Sequence, residues 1–495
     1  MGLDISEVDF GNGSNSRFVE RLQQNLSALK QLLAKPGFGE TYSGCLAIGA
    51  ELEMYIIDAE GLPLSINQKI LDEAQDPQLT LELNRYNLEY NLTPYAINQG
   101  PLQATEQEIS TQLNKLNTLA AAHGGSVIPI GILPTLTADK FGPDFMTDRA
   151  RYRVLVEQLI QRRGAEFQID INGPDPLQLA MSDVTLEGAN TSFQIHYRVN
   201  PEDYVNTYNA IQLVTPLVLA LAANSPSLFG HKLWMETRVP LFKQSIDVRI
   251  KDRYRWQEPA RVNFGLGWAS GSALELFQQT VNVYPPLLPI CAQQSPLQQL
   301  HNQQVPELAE LKLHQSSVWL WNRPVYDHLD GGHLRIEMRA LPAGPSAVDM
   351  VANAALYIGL AEAFKNEMPT LVPALPFQLA EHNFYRAAQY GLDAKLVWPD
   401  VRQSGCREYS VVELLKEYLP TARDGLLNIG VSQTEVSKYL SIVEQRLENC
   451  QTGASWQLHK TTGYQQQYGK DKSQHMMLED YIENAYANKP VAQWT

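Results

Sequence analysis

From Leu46 to Ile57 the chain alternates strictly. Leu46, Ile48, Ala50, Leu52, Met54 and Ile56 fall on one face, and Gly49, Glu51, Glu53 and Tyr55 on the other. A period of two predicts a strand with one face turned to a core. The same alternation runs through Thr191–Val199 and His333–Ala340, with shorter strand-like pieces at Phe167–Asn172 and Arg261–Phe264. Helical periodicity is found at Phe18–Leu33, ended by Pro36 and Gly37, and at Thr105–His123, Pro201–Asn224, Ser346–Lys365, Val411–Leu419 and Val436–Glu448. The Gln/Tyr/Gly-rich stretch Gln451–Gln474 reads as a polar loop, followed by a short final helix at Leu478–Tyr486. Strands and helices do not repeat as βα units. The pattern therefore predicts an α+β fold of antiparallel sheet and enclosing helices.

Composition narrows the class. At 495 residues, 44% hydrophobic and 19% charged, the chain can bury a large core and is not globally disordered. The expected organisation is an N-terminal helical extension over 1–40, a catalytic body over 41–450 and a C-terminal extension over 451–495. A net charge of -15 argues against a nucleic-acid partner. It leaves a nucleotide open, because magnesium can carry phosphate charge into an acidic site. The strongly apolar run Leu213–Ala223 reads as buried helix, too short to span a bilayer, and the N-terminus has no signal-peptide pattern, so no membrane partner is expected. Cys45, Cys291, Cys406 and Cys450 lack metal-ligand spacing and read as free thiols of a cytoplasmic protein. A homo-oligomer is the base-rate expectation.

Three polar patterns carry candidate chemistry. Glu51 and Glu53, at i and i+2 on one strand face, would repel each other. A magnesium ion would relieve that, and so would open solvent. Glu82 and Glu89 would nearly share a face on a helix, or both point inward across a helix-to-strand change before Pro94; surface charge is the plain alternative. On His333–Ala340 the residues His333, Arg335, Glu337 and Arg339 share one face, suited to phosphate oxygens and a metal, or to a surface ion-pair ladder. His196 shares its strand face with Gln194 and Arg198, and could be a metal or phosphate contact or a structural histidine. Arg238 could hold a substrate carboxylate or pair with Glu236. A phosphate-loop Gly-x-x-x-x-Gly-Lys-Ser/Thr is absent, which argues against that class of ATPase.

In combination, Ile48-Gly49-Ala50-Glu51-Leu52-Glu53, the Glu82/Glu89 pair, Phe193-Gln194-Ile195-His196, Leu221-Ala222-Ala223-Asn224-Ser225-Pro226 and Arg335-Ile336-Glu337-Met338-Arg339 resemble the glutamate–cysteine ligase family, in its bacterial carboxylate–amine ligase branch. The resemblance covers roughly residues 45 to 360. It implies a glutamine-synthetase-like curved antiparallel sheet forming a cup surrounded by helices, with ATP and magnesium at its inner surface. Glu51, Glu53, Glu89 and Glu337, with Glu82, are then the expected metal ligands. His196, Arg335, Arg339 and Arg238 are expected at nucleotide or substrate, with Glu53, His196 and Arg339 the leading catalytic members.

The implied reaction phosphorylates a glutamate-like carboxylate and lets a small amine displace phosphate, glutamate with cysteine being the leading pair. A guanidino or carboxylate phosphotransferase and a nonenzymatic metal or ligand sensor are the competing readings. Tyr86, Trp256, Trp268 and Trp319 are candidate walls of the acceptor pocket, or simple packing.

Overall fold

The computed structural model describes residues 13–39, 46–250, 256–399 and 405–495; Cys45 and the first part of the N-terminal extension lie outside them. Eight strands form one sheet: β1 (Ala47–Asp58), β2 (Leu79–Leu81), β3 (Asn87–Asn91), β4 (Tyr95–Ala96), β5 (Gly125–Ile128), β6 (Phe193–Arg198), β7 (Asn322–Asp327) and β8 (His333–Met338). The spatial order is β7-β8-β6-β1-β3-β2, with β4 and β5 also pairing along β1, and every pairing is antiparallel. This is an antiparallel sheet of an α+β fold, as the alternation predicts, and its curvature is what the resemblance implies.

One face of the sheet is sealed. Ile48, Ala50, Leu52, Met54 and Ile56 of β1 join Ile195, Tyr197, Leu334, Ile336 and Met338 in the main core. Behind them lie α1 (Tyr204–Ala222), α2 (Ala347–Phe364) and α3 (Val411–Asn428), stacked on one another. The helix expected over Pro201–Asn224 is the 19-residue α1, and the apolar run Leu213–Ala223 is its C-terminal half and cap. That length would cross a bilayer, but here the helix is buried between sheet and helices, which is why it is apolar all round.

Two expectations are corrected by packing. Glu82 and Glu89 do not share a helix: the segment is β2, a turn and β3. Leu79, Leu81 and Leu88 alternate into the core, and the Asn84 side chain, donating to the carbonyl of Thr185 (3.0 Å), holds the turn. Gln451–Gln474 is not a loop. Most of it is α4 (Gly453–Tyr468), started by a capping box between Thr452 and Ser455, and Lys470–Tyr486 forms α5. Trp456 of α4 and Tyr481 of α5 both meet Trp494 in a second core that also takes in Met477 and Leu478 of α5, so sparse hydrophobicity still supplies one packed stripe.

Candidate active site

Register brings the polar face together. Across neighbouring strands, Arg323 of β7 lies opposite Glu337 of β8, Glu337 opposite His196 of β6, and His196 opposite Gly49 of β1. One step along, Glu51 faces Gln194, and Glu53 faces Glu89, which faces Thr80. Two triads result, each with ligand atoms within 4.8 Å of one another: Glu51 with His196 and Glu337, and Glu53 with Glu82 and Glu89. Five of the expected carboxylates and the expected histidine therefore meet on one sheet face.

The two triads differ electrostatically. Glu337 accepts both Nε (2.8 Å) and Nη2 (2.7 Å) of Arg323, and Arg339 also pairs with it. Burial alone would raise its pKa, but these two guanidinium groups outweigh burial and hold it at about 2. His196 Nε2 lies 3.2 Å from a Glu51 oxygen, an ionic approach without the angles of a hydrogen bond. Its Nδ1 accepts from Arg335 Nε at 2.9 Å, which places a neutral ring's proton on Nε2.

In the second triad, burial and then the charge of Glu51 push Glu89 up to about 7. Glu82 is raised well above the usual range by burial and then by Glu89 and Glu53. Neither Glu82 nor Glu89 has a cationic partner among the described residues; Glu89 accepts from Thr80 Oγ1 (3.0 Å) and Asn91 Nδ2 (3.1 Å), and Glu82 from its neighbour's backbone N–H. Burial also raises Glu53, which accepts from Ser192 N–H (2.6 Å) and Gln194 Nε2 (2.8 Å).

Two lobes open from this face. The acidic lobe, about 140 Å³, borders Glu51, Glu53, Glu82 and Glu89 and is closed by Arg151, Tyr152 and Leu155 of the helix Ala150–Arg163, with Glu187, Trp319 and Arg339. The second lobe, about 300 Å³, borders His196, Arg335, Glu337 and Asp327 and has a more apolar wall including Phe277 and Leu311. Arg323 and Ser316 border both.

Not every expected residue lines the lobes. Arg238 is 2% exposed and borders neither; it pairs with Glu236 (3.2 Å), donates to the carbonyl of Ala340 (3.2 Å) and acts on Glu53 through its charge. Of the aromatic candidates only Trp319 is in the wall. Tyr86 is fully buried, Trp268 donates to the carbonyl of Leu375, and Trp256 is 79% exposed. Conversely, sequence reasoning missed Arg323, Glu187, Arg151 and the bridging role of Gln194, which accepts from Arg339 and donates to Glu53. Only Arg323 had a usable signal: Asn322–Asp327 precedes β8 by a short Gly-containing turn, a hairpin spacing.

An antiparallel cup with paired acidic triads and interleaved arginines is what an ATP-dependent carboxylate–amine ligase requires, and the family match gives that class. The chain belongs to glutamate-cysteine ligase family 2, whose model matches residues 47–479. The glutamate–cysteine ligase of Francisella tularensis, solved in complex with AMP, has the same fold, with a TM-score of 0.51 and 10% identity over 90% of this chain and 89% of that one. A bifunctional glutathione synthetase from Pasteurella multocida gives a TM-score of 0.49 at 11% identity, over 94% of this chain and 55% of that one. No curated protein matches by sequence.

Proposed function

We propose that this enzyme uses ATP and magnesium to join a glutamate-like carboxylate to an amine through an acyl phosphate, with glutamate and cysteine the leading substrate pair. The observation that carries the reading is the pair of triads side by side on one sheet face, between two lobes of different chemistry.

Magnesium fits the donors. The ligand atoms are mostly hard carboxylate oxygens, and Glu82 and Glu89 are raised by burial and by neighbouring carboxylates, a repulsion that a bound dication would offset. Glu53, Glu82 and Glu89 would hold one ion and Glu51, His196 and Glu337 another. Bound there, magnesium supplies charge neutralisation and polarisation of phosphoryl oxygens. For Nε2 of His196 to serve as a ligand, its proton must move to Nδ1, so the Arg335 hydrogen bond must give way.

The chain's own residues divide the remaining work. The lobe beside Arg335 and His196 suits the nucleotide, since it combines apolar wall with guanidinium donors. Arg323 and Arg339, at the junction with the acidic lobe, are placed to hold the transferring phosphoryl group and stabilise its developing charge. The acidic lobe then receives the carboxylate and the amine. Arg238, behind Glu53, serves as a buried counter-charge and not as a substrate contact.

The test is a product screen by mass spectrometry with ATP, magnesium, glutamate-like carboxylates and a panel of amines. An amide formed together with ADP and phosphate is the expected result. A stable phosphorylated product without amide would refute ligation.

A further inference from the structure

Five carboxylates line the acidic lobe, and four of them belong to the triads. Glu187 belongs to neither. It also differs from the other four in its partners. Glu51 has His196 beside it, Glu53 accepts from Ser192 and Gln194, Glu82 from the N–H of Leu83, and Glu89 from Thr80 and Asn91. Among the described residues no group hydrogen-bonds or ion-pairs with the Glu187 carboxylate; beyond burial, only the more distant charges of Glu53 and Arg339 act on it.

The backbone that presents it is tied down. Glu187 sits in the turn Thr185–Ala189. Asp183 accepts from both the N–H (2.7 Å) and the hydroxyl (2.6 Å) of Thr185, and Asn84 Nδ2 donates to the Thr185 carbonyl. On the other side, Tyr55 donates its hydroxyl to the carbonyl of Ala189 (2.6 Å), anchoring the turn to β1. A partnerless carboxylate held over a cavity by a fixed turn is arranged for a cationic ligand group.

A metal is the weaker match, because a hard dication needs several oxygen ligands and Glu187 stands outside both triads. An ammonium needs one carboxylate. The same lobe has aliphatic surface from Leu155, Leu159 and Ile246 and an aromatic wall from Trp319.

We propose that Glu187 binds the ammonium group of the acceptor amine, a primary alkylammonium whose hydrocarbon part rests on the wall formed by Leu155, Leu159, Ile246 and Trp319. This assignment deepens the ligase reading given above and rests on it for the identity of the ligand. Glu187 is then a substrate-binding residue that selects a cationic amine and holds it beside the triad containing Glu53.

The experiment reads binding alone. The full-length protein at about pH 9, where Glu187 is ionised and an alkylammonium is still charged, and in saturating magnesium, so that the triads do not compete for the cation, is titrated with n-butylammonium and with n-butanol, its neutral isostere, by ligand-observed NMR. The wild type is expected to bind the cation at least about tenfold more tightly than the alcohol. Glu187→Gln is expected to abolish that preference while leaving the alcohol unchanged, and Glu187→Asp to keep it.

Equal affinity for the two probes in the wild type, or a cation preference that survives Glu187→Gln, overturns the assignment. The wild-type comparison decides even where the glutamine variant does not fold. Because no turnover is measured, a missing amide product in the screen would count against ligation and not against Glu187.

Discussion

Glu53 is where the charges of the site converge. It belongs to one triad, is linked to Arg339 through Gln194, and is approached from behind by the charge of Arg238. Glu53→Gln keeps the volume but removes the anionic oxygens that the proposed metal site would use. Turnover is expected to fall by ~100-fold or more, since losing even a supporting residue of a metal site costs 10–100-fold. The amide must reorient against the N–H of Ser192, a loss of about 1–3 kcal/mol that leaves the fold intact. Steady-state kinetics beside circular dichroism would check both, and normal turnover would remove Glu53 from the metal set. Its alternation with Glu51 was legible in the sequence. Glu187 was not, because a single glutamate in a turn carries no periodicity, and only its position over the cavity distinguishes it.

Among the elements, register is decisive. A shift of one residue in β1 would bury Glu51 and Glu53 in the main core and turn Leu52 and Met54 into the site, so the hydrophobic face fixes where the carboxylates stand. The helical layer behind has its own close fit. Gly425 of α3 lies on Gly359 of α2, and a Cβ at Gly425 would overlap the Gly359 carbonyl, which faces it. Gly425→Ala is therefore expected to destabilise the fold by ~1–3 kcal/mol, because overpacking exceeds the gain of about 1 kcal/mol in helix propensity. Urea denaturation measures it, with KM for ATP unchanged; a stabilised variant would refute the close crossing. The C-terminal helices matter similarly. Gln457 of α4 donates to Asn224 Oδ1 (2.8 Å), and Asn224 donates to Tyr481 of α5 (2.8 Å), tying the chain's end to the loop after α1.

For the whole molecule, the site is a standing electrostatic cost. Glu89 and Glu187 have folded-state pKa values raised to about 7 and about 8. A group raised in this way contributes stability that is full below the unfolded value near 4.5 and is lost as pH rises through the folded value. Without magnesium, these two groups should lower the thermal midpoint progressively between pH 4.5 and about 8. Glu337, held at about 2, acts in the opposite direction and loses its contribution only as pH falls through that value. Magnesium bound at the triads, as proposed, would displace protons, so its stabilisation should grow with pH over the same window. Calorimetry with magnesium and with chelator would show it. A magnesium shift independent of pH would mean that Glu82 and Glu89 do not bind the ion.

The sequence by itself determined the strands and the faces of β1, β6 and β8, because a period of two is a local property of neighbouring side chains. It also determined most helices and, through the ordered set of short motifs, the family. Tertiary structure decided the rest. Strand order brought Arg323 onto Glu337, packing made a helix of the glutamine-rich stretch, and burial withdrew Arg238 from the cavity. It also separated the two triads in charge: guanidinium groups neutralise Glu337, while Glu82 and Glu89 pair with no cation among the described residues. Those distinctions depend on which residues distant in the chain become neighbours, and on how much water is left between them.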